Sequence, residues 1–160
     1  MSDTTLTRLK KYKFIPYINT GTSAVPVWSR IGKSTIFDLT LNANIVTSDF
    51  IEDEMPTDDV TYYKPTLSEE LQTNAGDPAF DFIYAMFKAL PTGEDVKKEV
   101  LLVFAGANSP YDAWLTNSSL ILNDLNTVDE KVLFDININK ITHGTATVTD
   151  GTPAFTAAAA

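Results

Sequence analysis

Cysteine is absent from this 160-residue chain, which excludes disulfides and thiolate metal sites. Histidine occurs once, at His143. It has no cysteine to activate, and no serine sits in a Gly-x-Ser-x-Gly setting, so the common nucleophilic-catalysis patterns are missing. Gly32-Lys33-Ser34 matches the end of a phosphate-cradling loop. The upstream glycine that such a loop needs is not there. No window approaches the roughly 20 apolar residues of a membrane helix. The opening MSDTTLTRLKKYKF lacks the apolar run of a signal peptide. These absences lead us to expect a soluble, non-membrane protein made in the cytoplasm, with no enzyme activity and no cofactor. Its length fits one domain able to bury a core without staples.

What is present is acid, unevenly placed. The formal charge is −9. Residues 1–33 carry six bases (Arg8, Lys10, Lys11, Lys13, Arg30, Lys33) against Asp3 alone, a balance of +5. The remaining residues carry −14. Such asymmetry suits a basic arm meeting an acidic neighbour, and equally an exposed tail with ordinary solvating charges. An acidic chain is a poor candidate for gripping DNA, whose phosphates call for Lys and Arg.

Strand patterns dominate. Residues 36–46 (IFDLTLNANIV) alternate throughout. Phe37, Leu39, Leu41, Ala43 and Ile45 fall on one side; Asp38, Thr40, Asn42 and Asn44 fall on the other. Residues 132–138 repeat the pattern, with Leu133, Asp135 and Asn137 on the second side and Asn139 continuing it. Shorter strands are expected at 11–18 and 24–31, where Pro16 and Pro26 suit edges. Further strands are expected at 60–68, 113–125, 131–142 and 145–149. The apolar run at 99–105 reads as a strand buried on both faces. Between the strands at 36–46 and 60–68 lies a long acidic connection, 47–59, with Asp49, Glu52, Asp53, Glu54, Asp58 and Asp59 and no base. Connections of this length usually work or are disordered.

One helix is clear. Asp77 can cap it and Pro78 opens it. Phe80, Ile83, Phe87 and Leu90 recur at helical spacing, and Pro91 and Gly93 stop it. The sum is a mainly β fold: an antiparallel β-sandwich or barrel with one flanking α-helix at about 78–90, in a single domain over 1–152. Residues 153–160 are low in complexity and are expected to fray.

Few residues suggest a ligand. His143, beside Gly144, reads as a turn histidine rather than a catalytic one. The acidic run could hold Ca²⁺, but it lacks the alternating Asp/Asn spacing and central glycine of a calcium loop; a solvated or docking loop fits better, and no metal site is expected. Trp28, Tyr62, Tyr63, Tyr111 and Trp114 could form a sugar platform or a subunit interface. Packing suits Trp28 and Trp114, and an interface suits Tyr62 or Tyr63.

The order of segments then becomes informative. YINTGTSAVPVWSRIGK leads into FDLTLNANIVTSDFIEDE and YYKPTLSEELQT; the helix entry GDPAFDFIYAMFKALPTG follows, then LLVF and FDININKITHGTATV. This succession resembles the major tail tube proteins of long, non-contractile-tailed (siphovirus-type) bacteriophages, over roughly residues 12–150. The resemblance implies a β-sandwich with one helix and six subunits to a ring. The rings stack into a virion tail tube around a tape-measure protein, in contact with tail-tip and terminator proteins. Assembly takes place in the host cytoplasm, and DNA later passes through the channel without specific binding. By position, 47–59 matches the family's inter-ring loop and 1–13 its arm. That places Asp49, Glu52, Asp53, Glu54, Asp58, Asp59, Arg8, Lys10, Lys11 and Lys13 at ring-to-ring contacts. A channel for DNA should be wet and poor in bases, because each Lys or Arg would act as a brake on phosphates. Asp38, Thr40, Asn42, Asn44, Asp135, Asn137 and Asn139 fit that lining; they fit the outer face of an ordinary sandwich too. Competing readings are the tube protein of a contractile injection or secretion machine, a host-surface carbohydrate-binding module, and a hydrolase with an unrecognised carboxylate pair.

Overall fold

The computed structural model describes residues 8–106 and 108–158. Ten strands and one α-helix form it, and every strand pairing is antiparallel. After a short 3-10 turn at Lys11–Lys13 come β1 (Phe14–Asn19), β2 (Trp28–Arg30), β3 (Asp38–Thr40), β4 (Ala43–Ser48), β5 (Thr57–Tyr63) and β6 (Thr66–Gln72). Helix α1 (Pro78–Ala89) follows, then β7 (Lys97–Phe104), β8 (Tyr111–Asn126), β9 (Lys131–Thr149) and β10 (Thr152–Ala157). The main sheet runs β2-β1-β7-β8-β9-β6-β3, with β10 on the far half of β9; β4 and β5 form a separate two-stranded ribbon. The mainly β architecture with one flanking helix is thus as the sequence implies.

The run at 99–105 is buried on both faces. Val100 and Leu102 join a cluster with Phe134, Ile136 and the helix residues Phe80, Ile83 and Met86. Leu101 and Val103 join a second cluster with Tyr17, Ala113 and Ala146 on the opposite face. Helix α1 buries Ala79, Phe80, Ile83 and Met86; of the expected stripe, Phe80 and Ile83 are buried, Phe87 is half-buried, and Leu90, past the last turn, is exposed. It ends at Leu90, whose left-handed backbone (φ 51°) lets its N–H reach Met86 O at 3.1 Å.

Four boundaries differ from expectation. The faultless alternation at 36–46 is not one strand: Asn42 (φ 49°) breaks it into β3 and β4. The return strand at 60–68 breaks opposite, at Lys64 and Pro65, into β5 and β6. The expected strands at 131–142 and 145–149 are one strand, β9, so His143 lies within a strand and not in a turn. Residues 152–157 pair with β9 rather than fray. A two-residue turn with positive φ at Asp150 (51°) and Gly151 (77°) makes that return, as tight hairpins favour. Gly144 then permits β10 to close in, because a Cβ there would stand 2.7 Å from the Phe155 ring. Pro16 also sits off the edge, in β1 between β2 and β7. Its carbonyl accepts from Ile31 N at 3.0 Å, and the β2 ladder stops there, where the proline lacks an N–H.

One core residue breaks the apolar rule. Glu69, in the middle of β6 between Leu67 and Leu71, is 2% exposed, and neither carboxylate oxygen has a partner. Desolvation pushes its pKa up to about 8. The folded state therefore holds a proton that the unfolded chain releases near 4.5, and stability falls as pH rises between those values.

Two outcomes are expected. Glu69→Gln should flatten the pH dependence of Tm from pH 5 to 8, where the native carboxyl costs roughly 1.4 kcal/mol for each pH unit crossed; Tm measured by calorimetry at several pH values checks this. Leu90→Gly should raise stability by about 0.5 kcal/mol by relieving the left-handed residue, whereas Ile83→Ala should lower it by about 2–4 kcal/mol. Denaturant titration of both variants is the measurement.

Candidate functional site: a polar sheet face and a projecting hairpin

Period-two alternation in β3, β6, β9 and β8 puts polar side chains on one face of the main sheet, opposite the helix-side cluster. Register aligns them in rows. Asp38 pairs with Ser68, which pairs with Asp135, which pairs with Ile121; Thr40, Thr66, Asn137 and Ser119 form the next row. Hydrogen bonds lace the rows together. Asn123 donates to Asp135 at 3.0 Å and Asn139 donates to Ser119 Oγ at 2.9 Å. Lysines reach only the borders: Lys131 lies 3.4 Å from Glu70, and Lys64 donates to Asn139 at 2.9 Å. Past Ser119 and Asn139 the face opens into a polar hollow of about 680 Å³, where Lys97 and Lys98 mix with Glu94 and Glu99.

The face ends at a bulge. Ile138 pairs with Ser118 and Lys140 with Asn117, leaving Asn139 as the extra residue. The alternation of β9 inverts there. Val132 to Ile138 point even-numbered residues at the helix-side cluster, whereas Ala146 and Val148 point theirs at the second cluster. One strand thus serves a polar face in its first half and an apolar one in its second.

Of the seven residues expected on one wet face, Asp38, Thr40, Asp135, Asn137 and Asn139 are brought together. Asn42 and Asn44 are not. Asn42 turns at the corner, donating to Lys64 O and Thr66 Oγ1 at 3.1 and 3.2 Å. Asn44 lies on the ribbon and donates to Thr61 Oγ1 at 2.6 Å.

The expected acidic loop is strand only at its two ends. Its first residues belong to β4 and its last to β5; residues 49–56 alone form the tip. Among the described residues nothing covers the ribbon: each residue from 45 to 63 is exposed except half-buried Ser48. Asp49, Glu52, Asp53 and Glu54 stand at the exposed tip; Asp58 accepts from Thr47 at 2.6 Å, and Asp59 pairs with Val46. Among the described residues no three acidic or imidazole side chains converge as a metal would require. Apolar residues Phe50, Ile51 and Met55 stand among these acids. Phe50, Ile51 and Met55 at the tip, and Ile45, Val60, Tyr62 and Tyr63 along the strands, are all more than half exposed or nearly so. The mixture of bulky apolar residues with acids was the signal available.

Of the arm, Arg8 and Lys10 are exposed, and Lys13 sits over the Tyr12 ring at 5.4 Å. Lys11 contributes backbone to the 3-10 turn, and residues 1–7 lie outside the described residues. The remaining aromatics are packed. Trp28 and Tyr111 lie on the second cluster, and Trp114 meets Phe104 and His143 edge to face at 5.1 and 5.9 Å.

No known protein family matches this sequence, and no curated protein does. Among solved structures, the chain is similar to one in the six-fold symmetrised cryo-EM structure of the anti-feeding prophage baseplate. The two share 11% identity at a TM-score of 0.45, over 89% of this chain and 97% of the other. No helix of the described residues is long and apolar enough to cross a membrane.

Proposed function

We propose that this chain is a structural subunit of a bacteriophage tail tube that assembles into stacked six-membered rings around a polar channel. The uncovered ribbon carries the proposal. An isolated two-stranded hairpin is marginal in water, and this one displays bulky apolar side chains on both faces. Apolar surface of this extent marks an interaction site. The segment order that resembles tail tube proteins supplies the partner: copies of the same chain.

In such a tube the bent hairpin reaches out of its own sheet and finds cover on neighbouring subunits. The acids of the tip and the bases of the arm steer the encounter, and apolar contact holds it. The polar face made by Asp38, Thr40, Asp135, Asn137 and Asn139 lines the bore. Its centre offers hydrogen-bonding groups and carboxylates to water and no base to phosphate, so DNA slides without being held. Tape-measure and tail-terminating proteins would be the other partners, and the assembly belongs to the virion.

Negative-stain microscopy of concentrated protein is expected to show rings or hollow tubes. A monodisperse monomer at high concentration would oppose the proposal. Ile51→Asp with Met55→Asp should leave the thermal unfolding of the single chain within about 0.5 kcal/mol of the native value and abolish tubes. Thr40→Lys with Asn137→Lys should permit tubes but slow DNA delivery by assembled particles; normal delivery would remove those residues from the bore. Tube growth followed by light scattering should slow as salt rises, through screening of arm and tip.

A further inference from the structure

The buried Glu69 has no part in the reading above, and it borders a cavity. Its carboxyl, unpartnered at both oxygens, lies on the wall of a space of about 120 Å³ between β1 and the segment 31–37. Pro16, Ser34 and Phe37 line the same space, and Tyr12 and Arg30 bring to it the other titratable and charged groups. The elements packed around Glu69 add no further charge. Phe134 and Ile136 of β9 and the buried residues of α1 are apolar. Glu70 sits on the opposite face beside Lys131, and Asp77, at the start of α1, does not line the cavity.

Arg30 is the complementary group. It forms no ion pair among the described residues. Its stem already lies over Gly32, another cavity residue: a Cβ built there stands 3.5 Å from Arg30 Cγ and Cδ and 3.6 Å from Nε. Its charge also reaches Tyr17, lowering a pKa that burial raises. Arg30, on edge strand β2, thus pairs with Tyr17 and also lines the cavity. A buried carboxylate without a partner is costly, and a guanidinium stays charged at any pH of interest and fits a carboxylate with two parallel bonds.

We propose that Arg30 and Glu69 are the two halves of a latent ion pair: when Glu69 gives up its proton to solvent, the guanidinium turns over Gly32 into the cavity, pairs with the carboxylate and draws the segment 31–37 onto the core. The protonated form is the open state, with the cavity present. The raised pKa of Glu69 is consistent with this: burial pushes it up, and the Ser34 hydroxyl offsets that only in part. The segment ends at Phe37, next to β3, so closure bears on the strand from which the projecting hairpin springs. The device belongs to the single chain and stands whether or not the chain builds tubes.

The test uses the native chain, Arg30→Gln and Glu69→Gln. NMR reads the Glu69 carboxyl against pH, and amide hydrogen exchange, corrected for its intrinsic pH dependence, reads residues 31–37. In the native chain, exchange there should slow at least tenfold as Glu69 ionises. In Arg30→Gln the Glu69 midpoint should rise by one pH unit or more and the slowing should vanish. Glu69→Gln should show no pH-dependent slowing either. Arg30 is exposed, so its variant should keep the native unfolding transition, which circular dichroism confirms. A Glu69 midpoint that is the same with and without Arg30 overturns the proposal. So does native exchange at 31–37 that ignores the ionisation of Glu69.

Discussion

The ladder shared by β8 and β9 is the interaction on which everything else in this molecule depends. It is the longest pairing in the sheet, and both borders of the fold are attached to it. On one side β8 carries β7, β1 and β2; on the other β9 carries β6 and β3 along its first half and β10 along its second. A strand of nineteen residues with strict alternation would present the same parity of residue to each face from end to end. The single extra residue at Asn139 prevents that. It lets the second half of β9 bury even-numbered residues on the face where the first half exposes odd-numbered polar ones. A helix-covered core, a second core and a polar face thus share one backbone.

The hairpin obeys a different constraint. Its inner half, β3 and β6, is held by the sheet and by Leu39, Leu67 and Leu71 in the core. Its outer half keeps the backbone pairing but loses every tertiary support past the corner at Asn42 and Lys64. The corner is made by specific bonds: Lys64 N–H to Leu41 O, and the Asn42 amide to Lys64 O and Thr66. Backbone hydrogen bonds alone contribute little net stability in water. A ribbon bearing Ile45, Phe50, Ile51, Met55 and Val60 in solvent is therefore a surface that association would stabilise. Glu69 follows a related logic within the chain, as a polar group buried in the core whose carboxylate oxygens have no partner.

Local chemistry was legible wherever neighbours in sequence were also neighbours in space. The helix was readable because Pro78, the spaced aromatics and Pro91 act within a few turns. The doubly buried β7 was readable from its unbroken apolar run. The corner at Asn42 was not, because the alternation on either side is perfect; only the loss of the sheet beneath it separates β3 from β4. The acidic connection was read as loop throughout, and its charges hid only the short strand ends at 47–48 and 57–59. The last strand looked like a frayed tail because alanine hid its two anchors, buried Pro153 and half-buried Phe155, although Asp150-Gly151 was a hairpin signal in plain sight.

Taken alone, the sequence determined the mainly β class, the helix and its buried stripe, the absence of thiol chemistry and the scarcity of bases along two strands. Those follow from side-chain volume, periodicity and charge, all local properties. Tertiary structure decided which polar residues share a face, where one strand changes sides and which apolar residues are left in water. It also decided that a lone carboxyl is buried on the wall of a cavity that Arg30 lines as well. Those depend on register between segments far apart in the chain, and a shift of one residue in pairing exchanges the two faces of a strand.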